Sequence, residues 1–415
     1  MALGLVFSGG AARGAYEVGV LRHLVEHVLP DVGGTWPFQV LCGTSAGAIH
    51  ACAMAAGAHE PAAAARMLAD RWLGFEVDRF VRPDLRALVA TLTALLGRPR
   101  RGRTARQRGL LDPASVAELV AQIPFGQLGP NLAQGRVTGV SVSTTHVATG
   151  RTVVFTQRRE RTVAARSSDP TVVTREVVLG PEHAMASAAI PLLFPAVRID
   201  GDHYCDGGLR QDVPLSPARH LGADALLVVS PRHVAADDLD ARRAHEEAFL
   251  DPVFLAGKAL NALLLDGFDS DVYRLEQING LLAAGERRFG PGYLDALNDE
   301  LGRSGPDALR VVQAQVVRAS VDLGRLAGEV VRTREFRRRA TGLVGRALVR
   351  LAEGPRGDQA DLLSYLLFDR AFSGPLIELG QLDAARSHES LCRLVAGQEP
   401  SPPPRSIEVD HPEPR

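Results

Sequence analysis

The sequence predicts an α/β fold: a mostly parallel central sheet with helices on its faces, followed by a largely helical C-terminal extension. Two strand–glycine-turn–helix units stand within the first 57 residues. Short apolar runs bounded by Gly, Pro and Asp recur as far as Ser230. After Pro231 the apolar residues fall mainly at helical spacing.

Each element has its own signal. Residues 3–7 are a short apolar run, as a strand buried on both faces requires. Ser8-Gly9-Gly10-Ala11-Ala12-Arg13-Gly14 follows, and then Tyr16, Val20, Leu21 and Leu24 repeat at helical spacing until Pro30. The second unit is an apolar strand at 38–42, the turn Gly43-Thr44-Ser45-Ala46-Gly47, and an alanine-rich helix that Gly57 can end. Residues 60–108 read as helical, with Leu85, Leu88, Val89, Leu92, Leu95 and Leu96 on one stripe and six arginines in the linker 98–108. Strands are expected at 136–144 and 151–156, joined through Gly150, and at 223–230. Charged helical segments such as 237–247 lead to one more strand at 309–320, then helices around 323–331, 336–351 and 361–372.

Composition bounds the function. A hydrophobic share of 46% and a charged share of 23% belong to an ordinary globular chain. The formal net charge of −1, from 47 basic and 48 acidic residues, supplies no surplus for nucleic acid. Cys42, Cys52, Cys205 and Cys392 make no disulfide framework and no C-x-x-C spacing, so they read as buried small hydrophobes in a reducing compartment. No metal or cofactor is expected, since no dense acidic loop resembles a calcium site. The N-terminus has no charged leader, and the most apolar stretch, 184–197, is broken by Pro191 and Pro195. A cytoplasmic chain is expected, with any membrane contact peripheral, at the inner membrane surface. The apolar stripe and its arginines fit either an interfacial helix with a basic flank or a helix packed on the core with a solvated loop after it.

Three short motifs could carry chemistry. Gly43-Thr44-Ser45-Ala46-Gly47 is a G-x-S-x-G between strand and helix, the setting of a nucleophile elbow; a serine helix cap is the plainer alternative. The loop from Gly9 and Gly10 through Ala11 and Arg13 to Gly14 can present backbone amides to an anion, or serve as a tight turn. It lacks the glycine spacing of a dinucleotide loop and the Gly-Lys-Ser/Thr of a Walker loop. Asp206-Gly207-Gly208 reads as a turn in isolation, but a buried carboxylate there could serve as the base that Ser45 needs.

Together these motifs resemble the patatin-like phospholipase family: a glycine-rich loop ending in Arg-Gly, a G-x-S-x-G, then Asp-Gly-Gly, in that order. The segments Thr144-Thr145, Ala186-Ser187-Ala188-Ala189-Ile190-Pro191 and Asp212-Val213-Pro214-Leu215 look similar as well. The resemblance implies a patatin-like three-layer fold. It places a catalytic domain over 1–232, with a helical, Arg-rich insertion at about 60–110; composition adds a mostly helical region over 233–397 and a disordered Pro-rich tail over 398–415. It further implies a serine acyl hydrolase acting on phospholipid or lysophospholipid, with Ser45 as nucleophile and Asp206 as base in a dyad without histidine. Gly9, Gly10, Ala11, Arg13 and Gly14 would form the oxyanion loop, Gly43 and Gly47 the elbow, and Gly207 and Gly208 the turn after the base. Arg13 would either steady the loop electrostatically or pin it to the fold. The family loop commonly carries a third glycine where Ala11 stands, a change costing ~1–2 kcal/mol if φ is positive and nothing otherwise. Should a histidine serve instead, His203, His220 and His233 are the candidates.

Overall fold

The computed structural model describes residues 1–77, 112–159, 169–191, 193–233, 267–340, 342, 345–346, 348–349 and 360–398. The apolar stripe at 85–96, the arginines of 98–108, the charged segment 237–247 and nearly all of the tail lie outside the described residues, as do parts of 336–351.

The core is a nine-stranded, mostly parallel sheet. Its main path runs β5 (Val172–Glu176), β4 (Thr152–Arg158), β3 (Gly139–His146), β2 (Phe38–Thr44), β1 (Leu3–Phe7), β8 (Ala225–Ser230), β9 (Gln313–Arg318). Parallel pairing joins β3 to β2, β2 to β1, β1 to β8 and β8 to β9. Of these, β1 and β8 are buried on both faces, so they appear as continuous apolar runs rather than alternating ones. The hairpin β3–β4 turns at Gly150, which holds φ +66°.

Two short strands decide where the chemistry can sit. β7 (Asp202–Asp206) runs antiparallel to the end of β3, setting Asp206 opposite Thr144, and β6 (Val197–Ile199) pairs with β7. Neither β5 nor β6 announces itself in the sequence. One is half-buried at the sheet edge, and the other is three residues long.

Helices cover the sheet. Those used below are α1 (Ala15–His23), which continues through a π-turn at Leu24–Val28 and a last turn at Leu29–Asp31, then α2 (Ala46–Ala56), α3 (Pro61–Leu73), α4 (Ala114–Ala121), α5 (Pro181–Ser187), α6 (Ala360–Leu366), α7 (Arg370–Arg386) and α8 (His388–Val395). The single helix expected at 361–372 is instead two. Asp369 caps α7 by accepting from the Ala371 amide, which starts a new helix axis at Arg370.

α7 lies on α1 with backbone against backbone. A Cβ on Gly380 would stand 2.1 Å from the Tyr16 carbonyl oxygen, and one on Gly19 would stand 2.0 Å from that of Ile377. The contact is sealed by Tyr16, whose hydroxyl donates to Asp383 Oδ2 over 3.2 Å. The last helices are thus part of the same packed body as the first.

Candidate active site

The carboxyl ends of β1, β2 and β8 lie side by side, where an open α/β sheet forms its crevice. The loop after β1 and the turn after β2 meet there. Ser45, between β2 and α2, holds φ 57° and ψ −126°, a strained conformation worth ~1–3 kcal/mol that lifts its hydroxyl off the strand. The flanking glycines allow it. A Cβ on Gly43 would sit 2.1 Å from the Gly47 carbonyl oxygen, and one on Gly47 would sit 2.5 Å from that of Ser8.

The Ser45 hydroxyl donates to Asp206 Oδ2 over 2.6 Å, and the Gly208 amide donates to Asp206 Oδ1 over 2.7 Å. Strand register delivers this meeting. Thr44 pairs with Ser143, Thr144 pairs with Asp206, and Ser45 is the next residue along β2. The Asp206 backbone is tied on both sides, its amide donating to the Ala189 carbonyl and its carbonyl accepting from Thr145 Oγ1. Burial pushes the Asp206 carboxyl up to about 7 against the two hydrogen bonds that favour its anion.

The elbow has a prop that its motif does not contain. The Ser45 amide donates to Ser187 Oγ over 2.9 Å, and Ser187 donates onward to the Ser143 carbonyl. Ser187 ends α5, within the Ala-Ser-Ala segment of the sequence pattern.

The β1 loop differs in detail from expectation. Ala11 has φ 49°, so the costlier of the two alternatives holds and alanine carries the left-handed strain. The Gly9 amide donates to buried Asp212 Oδ1 over 2.9 Å, and the Arg13 amide turns back to the Gly10 carbonyl. The expectation that amides from Gly9 to Ala11 face the site together is therefore corrected: Gly9 is engaged by Asp212. Among the described residues no acceptor is found for the amides of Gly10 and Ala11, and Ala11 borders Ser45 in the cleft. Gly14 packs over Ala46 beneath the loop.

Arg13 is buried, donates from Nε to Ser364 Oγ over 2.7 Å, and lies 4.0 Å above the Tyr365 ring. Of its two expected roles, this is the pinning one, and the anchor is α6 in the C-terminal region.

The hydroxyl opens into a narrow apolar cleft walled by Ile49, Trp72, Phe75, Val116, Leu119, Ile190, Phe194 and Phe368. A second hollow lined by Met185, Pro195 and Val197 shares Val116, Ala188 and Phe194 with it, so apolar lining continues past the first chamber. Trp72 stacks on Phe368 at 6.2 Å between ring centres. Behind this wall Trp72 Nε1 donates to His50 Nε2, leaving His50 Nδ1 to donate to Glu17. Burial lowers His50 to about 3 and drives Glu17 well above the usual carboxylate range, so the imidazole is neutral.

The candidate histidines stand elsewhere. His203 sits at odd register on β7, on the face opposite Asp206. His220 is engaged with Asp307, and His233 with the Ala319 carbonyl. Among the described residues no histidine hydrogen-bonds to Ser45 or Asp206. Cys42, Cys52 and Cys205 are buried as expected, whereas Cys392 is only half-buried. No described helix is long and apolar enough to cross a membrane.

Comparison with known proteins supplies a family. A model described as patatin-like phospholipase matches residues 5–219, more than half the chain and inclusive of Ser45 and Asp206. Among solved structures, VipD from Legionella pneumophila is similar with a TM-score of 0.31 and 15% identity, over 63% of this chain and 55% of that one. The match thus spans little more than half of that neighbour's length. No curated protein is matched by sequence.

Proposed function

This chain belongs to the patatin-like phospholipase family, whose members support lipid acyl hydrolase activity in general, and from that premise we propose that it cleaves fatty acyl esters of glycerophospholipids or lysophospholipids through a Ser45–Asp206 dyad. The observation that carries the reading is the 2.6 Å hydrogen bond from Ser45 to Asp206 at the mouth of an apolar cleft.

In the first half-reaction Ser45 Oγ attacks the ester carbonyl carbon as its proton passes to Asp206 Oδ2. The carbon–oxygen bond to the glycerol breaks, and the leaving alcohol takes that proton. Water then gives a proton to Asp206 while its oxygen attacks the acyl-serine. Collapse returns the proton to Ser45 and frees the fatty acid. A carboxyl raised to about 7 suits this work, because a base functions best with its pKa near the working pH. The amides of Gly10 and Ala11, with the positive end of α2, are the donors available to the oxyanion; losing one such donor costs ~3–4 kcal/mol. The aromatic and aliphatic walls suit an acyl chain.

The test joins labelling to product analysis. A fluorophosphonate should modify Ser45, and mass spectrometry should find free fatty acid released from defined phospholipids by wild type and not by Ser45→Ala. Turnover of short-chain p-nitrophenyl esters without any phospholipid hydrolysis would recast the protein as a general carboxylesterase. Absence of both labelling and turnover would recast it as a catalytically silent adaptor.

A further inference from the structure

Far from the cleft, two helices bring together side chains of the metal-ligating kinds. His23, His27 and Asp31 recur every fourth residue along α1 and its continuation, while His388 and Cys392 stand four apart on α8. Asp31 Oδ2 lies 3.0 Å from His388 Nε2, and Cys392 Sγ lies 3.5 Å from the same nitrogen. The ligand atoms of these three residues all fall within 4.8 Å of one another.

An imidazole nitrogen makes one in-plane hydrogen bond, so His388 Nε2 cannot satisfy both the carboxylate and the thiol. A cation at the common point would serve all three. With metal–ligand bonds of ~2.0–2.3 Å in a tetrahedron, neighbouring donors stand ~3.3–3.7 Å apart, close to the 3.0 and 3.5 Å found about His388 Nε2. The second ring nitrogen, His388 Nδ1, lies 3.1 Å from buried His23 Nε2. With Nε2 on a metal, Nδ1–H would donate to His23, the outer-shell support that ligating histidines use. The His27 ring packs 4.9 Å from that of His23. The backbone between His23 and Leu29 is a π-turn, a distortion that recurs at functional sites. Asp31 and His388 keep 61% and 34% of their side-chain surface exposed, which gives an ion its route in.

We propose that Asp31, His388 and Cys392 bind one divalent cation of the zinc class, held in place through His23, which clasps the last helix to the first. One sulfur, one nitrogen and one oxygen donor select zinc or cobalt over calcium or magnesium, and three protein ligands leave the fourth position to water. The site is separate from the cleft and owes nothing to the lipase reading.

The test uses the full-length chain stripped with chelator, then titrated with ZnCl2 by calorimetry and with CoCl2 by absorption. One zinc per chain, a thiolate-to-cobalt charge-transfer band and a Tm that climbs with zinc concentration are expected. Cys392→Ser should abolish the band, and His388→Gln should weaken zinc binding roughly tenfold or more. His23→Gln should weaken it ~10–100-fold with the cobalt band retained. No saturable binding to wild type, no thiolate band, or zinc affinity unchanged in both His388→Gln and Cys392→Ser would overturn the site. The wild-type cobalt spectrum decides thiolate ligation even if a variant fails to fold.

Discussion

Two regions meet at the cleft and are held by different means. The sheet end that carries Ser45 and Asp206 is fixed by strand register and short buried hydrogen bonds, each to a near neighbour in space along paired strands. The C-terminal helices reach the same cleft through close helix packing at Gly19 and Gly380, through Arg13 on Ser364, and through Phe368 in the wall. In the proposed mechanism the first region orients the reacting atoms. The second supplies a wall and a brace, so damage to each should read out differently, as lost turnover in one and lost stability in the other.

The sharpest break is Ser45→Ala. It should lower kcat by about 10⁴- to 10⁶-fold at only a modest cost in Tm, because alanine removes the reacting atom and leaves buried Asp206 Oδ2 without its partner. Asp206→Asn should come next, at about 10⁴-fold in kcat, with a gain in stability that depends on pH. Below its ordinary value of 3.8 the carboxyl is protonated in folded and unfolded chains alike. Between 3.8 and about 7 only the folded chain keeps the proton, so stability falls as pH rises through that window. The full span amounts to about 4 kcal/mol for this buried group, at ~1.4 kcal/mol per unit. The asparagine variant should therefore melt higher than wild type at pH 8, and the gap should close as pH falls toward 4. Scanning calorimetry across that range would refute the assignment of a raised carboxyl if the gap were constant. Wild-type turnover should rise with pH through about 7, as the base loses its proton.

The same contrast governs what the sequence revealed. Ser45 and Asp206 were legible because each sits in a contiguous motif whose glycines the local backbone demands. Their partners were not. Asp212 meets Gly9 across 203 residues, Ser187 meets Ser45 across 142, and Ser364 meets Arg13 across 351, and none of those spacings leaves a local pattern. The sheet strands at 3–7, 38–42 and 223–230 were legible from continuous apolar runs, whereas half-buried β5 and three-residue β6 bury too little to leave one. The positive φ of Ala11 could not be read because alanine there is imposed by the fold against its own preference. The break between α6 and α7 did leave a signal, Asp369 as a helix cap inside an otherwise apolar stretch.

Gly380→Ala sharpens the comparison from the other side. Its Cβ would stand 2.1 Å from the Tyr16 carbonyl oxygen and 3.1 Å from Gly19 Cα, with backbone that cannot rotate away. The two helices must separate, for a loss of about 3 kcal/mol. Chemical denaturation should register the loss, while kcat per folded molecule stays within a few-fold of wild type. A thousandfold fall in kcat at full folding would mean that the C-terminal helices do more than brace.

Asp212 lies between the two regimes and gives the smallest of these effects. It is fully buried, accepts from Gly9 through Oδ1, and has no partner for Oδ2 among the described residues. Burial raises its carboxyl well above the usual range, with the like charge of Asp206 adding to the rise; this favours the neutral form, and the contact to the loop is a hydrogen bond from the Gly9 amide. Asp212→Ala leaves the Gly9 amide buried and unpaired, a loss of ~1–3 kcal/mol shared between fold and loop geometry. The expected result is a kcat about 10–30-fold lower, since an oxyanion donor displaced with its loop loses part of its worth. Asp212→Asn keeps an acceptor of the same shape and should restore most of that kcat. A charge-based role predicts the reverse, with asparagine as damaging as alanine, and steady-state kinetics on the two variants separates these accounts.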